Sequence, residues 1–186
     1  MANQVSLWIM GIRMKEVKAK VFLNLVVTLL LVGVALFAIN ALLPRILSTQ
    51  IPLAVVSSYS MEPVLHVGDL LVIVGVKPSD IKVGDIIVYR GYREPIVHRV
   101  IKVGIVNGVY RFLTKGDANA YPDQNARDPT SWVGEEEVLG KVVIVVPYLG
   151  SISLALTKNR TLYYIVIAGL VLLLIISVIP RRRVFK

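Results

Sequence analysis

Two stretches of this chain, residues 21–43 and 162–179, contain no Asp, Glu, Lys, Arg or His. At a rise of about 1.5 Å per residue they make helices of roughly 34 and 27 Å, close to the ~30 Å hydrocarbon core of a bilayer. Both read as membrane-spanning helices. A cleaved signal sequence has an apolar core of only ~7–15 residues, and Ala41-Leu42-Leu43-Pro44 is a poor small-residue cleavage site, so the first run reads as a retained anchor. The second is apolar all round and runs into Pro180-Arg181-Arg182-Arg183, which favours a span over a buried core helix. With 55% of its 186 residues hydrophobic, the chain is too apolar for an ordinary soluble domain of this length.

The formal net charge of +9 raises the question of nucleic acid, but position answers it. Arg13, Lys15, Lys18 and Lys20 precede the first run; Arg181, Arg182, Arg183 and Lys186 follow the second. Setting those eight aside leaves 13 of the 21 Lys and Arg residues facing 11 of the 12 acids, because only Glu16 lies outside the middle segment. The middle is nearly neutral, and nucleic-acid binding loses its support. Basic ends fit the positive-inside rule. The expected layout is a cytoplasmic basic N-terminus over 1–20, a first span over 21–43, an extracytoplasmic domain over 44–161, a second span over 162–179 and a cytoplasmic basic tail over 180–186.

The middle segment is long enough for one domain with its own core. Its apolar runs are short, rich in branched residues and punctuated by Gly, Pro and Asp: 53–56, 70–74, 86–89, 96–101 and 142–146. Asn107-Gly108, between 103–106 and 109–112, is a strong hairpin signal. The expected fold is mainly β, an antiparallel β-rich catalytic domain flanked by two transmembrane helices. Residues 117–134 form a loop too long to be a simple connection. There are no cysteines, which removes disulfides, thiolate metal sites and a cysteine nucleophile together. No phosphate-binding glycine motif is present, and the reading calls for no cofactor and no metal.

Three reactive groups lie on separate segments. Ser58-Tyr59-Ser60-Met61-Glu62-Pro63 closes an apolar strand; His98 lies inside another strand; Asp117 and Asp123 sit in the long loop. Taken singly, each has an ordinary structural explanation as a turn serine, a hydrogen-bonded strand histidine or a solvated acid. Together they are what nucleophilic acyl transfer needs: a hydroxyl, a base to activate it, and an acid to hold the base's tautomer. These residue types allow a triad without selecting it.

The ordered series from Ser58-Tyr59-Ser60-Met61-Glu62-Pro63, through His66 with Gly68-Asp69, Val83-Gly84-Asp85-Ile86-Ile87-Val88-Tyr89 and Ile96-Val97-His98-Arg99-Val100, to Thr114-Lys115-Gly116-Asp117-Ala118-Asn119 with Asp123, resembles the boxes of type I signal peptidases, serine peptidase family S26. Histidine at position 98, where bacterial members carry a lysine base, is similar to the archaeal and endoplasmic-reticulum branch. The resemblance implies Ser60 as nucleophile and His98 as general base, in preference to Lys102 or Lys115. Asp123 is the expected acid orienting the histidine and Asp117 a second required acid, with the two exchangeable. Ser58 is expected to join the Ser60 backbone N–H in an oxyanion hole, and His66 is expected to be structural. Met61 is expected either to pack near the bilayer or to fill the core. Ala118 departs from the Asn common in that box.

The implied activity is removal of signal peptides from preproteins with small residues at the first and third positions before the cut. It would take place at the cell membrane or the endoplasmic-reticulum membrane. The partners expected are such signal peptides, membrane lipid and the secretion translocon, with no nucleic acid. Two rivals stand beside this reading: a membrane peptidase of the same superfamily with a narrower substrate, and a catalytically silent membrane-anchored scaffold. Intact Ser60, His98 and both aspartates speak against the scaffold.

Overall fold

The computed structural model describes residues 2–178, so the basic tail expected over 180–186 lies outside the described residues. The chain divides into two units, one formed by residues 2–39 and 159–178, the other by residues 40–158. The first holds the helix α1 (Ala2–Phe37) and a C-terminal helix, α4 (Arg160–Val178), which contact each other. Helical structure continues past α1 through a π-helical turn, Ala38–Leu42, into the four-residue α2 (Leu43–Ile46). By length and composition Ala19–Ile46 is long and apolar enough to cross a membrane, and Arg160–Leu170 is a shorter apolar helix.

The second unit is built on one seven-stranded, wholly antiparallel sheet: β1 (Leu53–Val55), β2 (Leu70–Val74), β3 (Ile86–Tyr89), β4 (Ile96–Val106), β5 (Val109–Lys115), β6 (Val133–Gly134) and β7 (Val138–Val146), in the spatial order β1-β2-β7-β3-β4-β5-β6. A short helix, α3 (Ser151–Lys158), follows β7. The turn between β4 and β5 is Asn107-Gly108, both with positive φ (52° and 83°). Such a turn matches the twist of the strands it joins and favours Asn-Gly for that reason.

Because side chains alternate along a strand, the central β3 feeds two cores. Val88 joins Val56, Met61, Leu65, Leu71 and Ile73, whereas Ile87 and Tyr89 join Ile81, Val100, Phe112 and Val133. Met61 is 1% exposed, so of its two expected positions it takes the core. A register shift between Val100 and Lys102 breaks the long β4–β5 ladder. Below it, Val100 still pairs with Thr114 and Arg99 with Lys115, at the end of the sheet where the reactive side chains gather.

Candidate active site

Ser60 belongs to a turn that the core holds at both ends. Met61 and Leu65, each 1% exposed, plug into the first hydrophobic cluster. Between them the backbone closes on itself through Val64 N–H and Leu65 N–H donating to the Met61 carbonyl at 3.0 Å. With its neighbour anchored inward, Ser60 faces His98 of β4 and lies next to exposed Ser58 and Tyr59. Its carbonyl accepts from Ala118 N–H at 2.9 Å, which ties the turn to the Lys115-Gly116-Asp117 loop.

His98 is fixed by register. It pairs with Ile87 across the β3–β4 ladder, while Thr114 on β5 pairs with Val100, two residues further on. By the period of two, Tyr89 of β3, His98 of β4 and Thr114 of β5 therefore share one face of three adjacent strands. His98 is 8% exposed. Its Nε2 lies 3.0 Å from Ser60 Oγ and its Nδ1 lies 2.6 Å from Asp123 Oδ2. With the proton on Nδ1, Nε2 is free to accept from the serine hydroxyl. The three groups form a continuous hydrogen-bonded line suited to drawing a proton off Ser60.

Asp123 is delivered by the long loop, which returns to the strand it left when Asp123 N–H donates to the Thr114 carbonyl at 2.9 Å. The same carboxylate oxygen that faces His98 also accepts from Thr114 Oγ1 at 2.7 Å and from the Tyr89 hydroxyl at 3.0 Å. Burial would raise the carboxyl's pKa, but the hydrogen bonds from His98, Thr114 and Tyr89 and the charge of His98 outweigh it and hold Asp123 below the ordinary carboxylate range. Burial pushes the Tyr89 phenol well above its ordinary value, and the Asp123 charge adds to the rise, so the phenol stays a neutral donor.

Asp117 takes a different partner. The Arg99 guanidinium holds it through two bonds, Nε to Oδ1 at 2.8 Å and Nη2 to Oδ2 at 2.7 Å, and also donates to the Gly84 carbonyl at 2.7 Å. The hydrogen bond to Asp117 raises the Arg99 pKa, against a smaller opposing effect of burial. Of the two acids, Asp123 is the one in contact with the histidine, and Asp117 pins the loop to β4 and to the turn before β3. Gly116 has a steric reason: a Cβ there would sit 2.6 Å from the Ser60 carbonyl oxygen and 2.7 Å from Asn119 Nδ2. Ser58 Oγ lies 3.2 Å from Ser60 Oγ.

His66 is half exposed and engages Asp69, whose buried carboxylate accepts from His66 N–H at 2.8 Å and Tyr148 N–H at 3.0 Å. Lys102 is exposed. Nothing in the sequence marks Tyr89, Thr114 and Gln124 as site residues, although the first two lie inside the boxes that resemble those of type I signal peptidases. The signal that finds them is parity across three paired strands, which needs the register. Among the described residues no three His, Asp or Glu are grouped so as to hold a metal ion.

No family model matches the chain. It is similar to the signal peptidase complex catalytic subunit SEC11C of Rattus norvegicus and of Homo sapiens, each 36% identical over 124 residues, covering 64% of this chain and 65% of the relative. It is also similar to the signal peptidase complex catalytic subunit SEC11 of Leptosphaeria maculans, 39% identical over 113 residues, covering 58% of this chain and 65% of that protein. The chain thus spans just under two thirds of the length of the relatives it matches. These relatives are catalytic subunits of the signal peptidase complex, and the resemblance of the chain's ordered boxes to type I signal peptidases agrees with that similarity.

Proposed function

We propose that the chain is a membrane-bound serine endopeptidase that removes signal peptides from preproteins. The observation that carries this reading is the line from Ser60 Oγ through His98 to Asp123, with steps of 3.0 and 2.6 Å. Ser60 attacks the scissile carbonyl as His98 Nε2 takes its proton. Asp123 stabilises the imidazolium that results, and His98 then passes the proton to the leaving amine. Water, activated by the same base, releases the acyl group. The Ser58 hydroxyl and the Ser60 backbone N–H steady the oxyanion, a kind of contact worth about 3–4 kcal/mol of barrier. Asp117 serves the site through Arg99 by holding the loop that bears on Ser60.

The substrate is an extended segment just beyond an apolar helix lodged in the same bilayer. Confining enzyme and substrate to one membrane raises their local concentration and restricts approach. Small residues at the first and third positions before the cut suit an extended peptide, whose alternate side chains point the same way. Two spans, 21–43 and 162–179, with basic ends at the cytoplasm would set the catalytic domain over 44–161 on the far side. The names of the relatives point to work within a signal peptidase complex, and the proposal places that work beside the secretion translocon, in the cell membrane or the endoplasmic-reticulum membrane. Incubating detergent-solubilised protein with a preprotein and sequencing the new N-terminus tests the reading. A cut after a small residue beyond the apolar segment is expected, and cuts elsewhere or none would contradict it.

A further inference from the structure

The hydroxyls of Tyr89 and Thr114 converge on one atom, and on that geometry we infer that both are positioning residues that hold Asp123 against His98, with Gln124 directing the Thr114 proton. The inference rests on the proposed roles of Ser60, His98 and Asp123. Asp123 Oδ2 receives His98 Nδ1 at 2.6 Å, Thr114 Oγ1 at 2.7 Å and the Tyr89 hydroxyl at 3.0 Å, one donor from each of β4, β5 and β3. Thr114 is 0% exposed and Tyr89 5%, so neither hydroxyl can turn to solvent instead.

A threonine hydroxyl has one proton and several acceptors in reach, so something must choose for it. Gln124 does so. Its Oε1 accepts from Thr114 N–H at 3.0 Å, which fixes the amide's orientation and turns Nε2 toward Thr114 Oγ1 at 3.1 Å. With that N–H donating to Oγ1, the Thr114 proton is left to choose between Asp123 Oδ2 at 2.7 Å and the Tyr89 hydroxyl oxygen at 3.1 Å, and the shorter contact to the charged carboxylate takes it. The chain of donation runs from Gln124 to Thr114 to Asp123, with Tyr89 entering from the side. All these groups belong to the same catalytic unit, residues 40–158.

The consequence is a carboxylate fixed in place and partly neutralised before the reaction begins. The two neutral hydroxyl donors already offset some of the Oδ2 charge, which moderates its pull on the protonated imidazole. Removing one donor returns that charge to His98 and favours imidazolium, so the acid limb of the rate should rise in pH. Tyr89 and His98 are the titratable groups in direct reach of Asp123 among the described residues, and the nearby Arg99 charge is engaged by Asp117.

The test is kcat/KM against pH for preprotein cleavage by the full chain carrying Thr114→Val, Thr114→Ser or Tyr89→Phe, alone and combined with Asp123→Ala. Thr114→Val should lower kcat about 10- to 100-fold with KM unchanged, a size typical of one hydrogen bond to a charged group. Its acid limb should move upward, and Thr114→Ser should restore both rate and limb. In the Asp123→Ala background Thr114→Val should cost nothing further, as expected of a residue acting only through its partner. Tyr89→Phe serves as the second variant should Thr114→Val fail to fold, with the same expectations of rate, limb and non-additivity. Equal losses in Thr114→Val and Thr114→Ser, an unmoved acid limb, or full additivity with Asp123→Ala would overturn the inference. Ser60→Ala in the same assay separates the two levels: turnover surviving there would sink the parent reading, whatever Thr114 does.

Discussion

Asp123 Oδ2 stands 2.6 Å from His98 Nδ1, though 25 residues separate them in the chain, while Asp117, 18 residues from Arg99, is claimed by that arginine's fork. One loop therefore supplies two acids to adjacent residues of β4 for different purposes: one faces the imidazole and the other secures the loop.

Exchanging each acid separates those purposes. Asp123→Asn should lower kcat about 10⁴-fold with little change in KM, since an amide favours the wrong imidazole tautomer. Asp117→Asn should lower stability by about 1–3 kcal/mol through loss of its charged hydrogen bonds, and activity should fall with it as the loop loosens. Kinetics paired with thermal unfolding of both variants checks this. A stable, inactive Asp117→Asn beside an active Asp123→Asn would reverse the assignment.

Gly116 carries a steric prediction. Gly116→Ala would place a Cβ 2.6 Å from the Ser60 carbonyl oxygen. The Ala118 contact to that carbonyl would open, and Ser60 would shift from His98. The expected result is at least a 100-fold fall in kcat/KM, on the order seen when reacting groups move by about an ångström, with the strand content unchanged by circular dichroism.

The pH dependence of stability follows from Asp123. Its native pKa lies below the ordinary carboxylate value of about 3.9. A depressed carboxylate adds stability above the unfolded pKa and loses it as pH falls through the native one. The difference in unfolding temperature between wild type and Asp123→Asn should thus be constant above about pH 5 and shrink below about pH 4. A stability difference that grows on acidification would contradict the Asp123 account.

Much of this fold is legible in the amino-acid sequence. The β4–β5 hairpin was readable because Asn-Gly permits two successive positive φ angles, and strands β2 and β3 because branched residues run between Gly-Asp turns. β6, two residues long, and the eight-residue α3 carry too little periodicity to announce themselves. β4 joins the runs 96–101 and 103–106 into one strand through Lys102, and β7 begins at Val138, ahead of its apolar run, because pairing extends it through Gly140 and Lys141. Ser60, His98 and the two aspartates could be proposed from ordered boxes. Which acid meets the histidine could not, since it depends on the path of a loop whose return is set by Asp123 N–H on the Thr114 carbonyl.

Orientation has its own test. Asn107 lies exposed at the hairpin tip, and the chain has no native cysteine. A cysteine placed there should react with a membrane-impermeant maleimide from the extracytoplasmic side alone. Labelling restricted to the cytoplasmic side would invert the proposed topology.

The most direct measurement is cleavage of a preprotein by purified wild type, Ser60→Ala, His98→Ala and His66→Ala, each first shown to be folded by its unfolding transition. The account predicts that the Ser60 and His98 variants lose turnover by about 10⁴-fold or more, while His66→Ala stays within about twofold, the ordinary range for a surface change of under about 0.5 kcal/mol. Near-wild-type turnover in Ser60→Ala, or a dead His66→Ala beside an active His98→Ala, would contradict it.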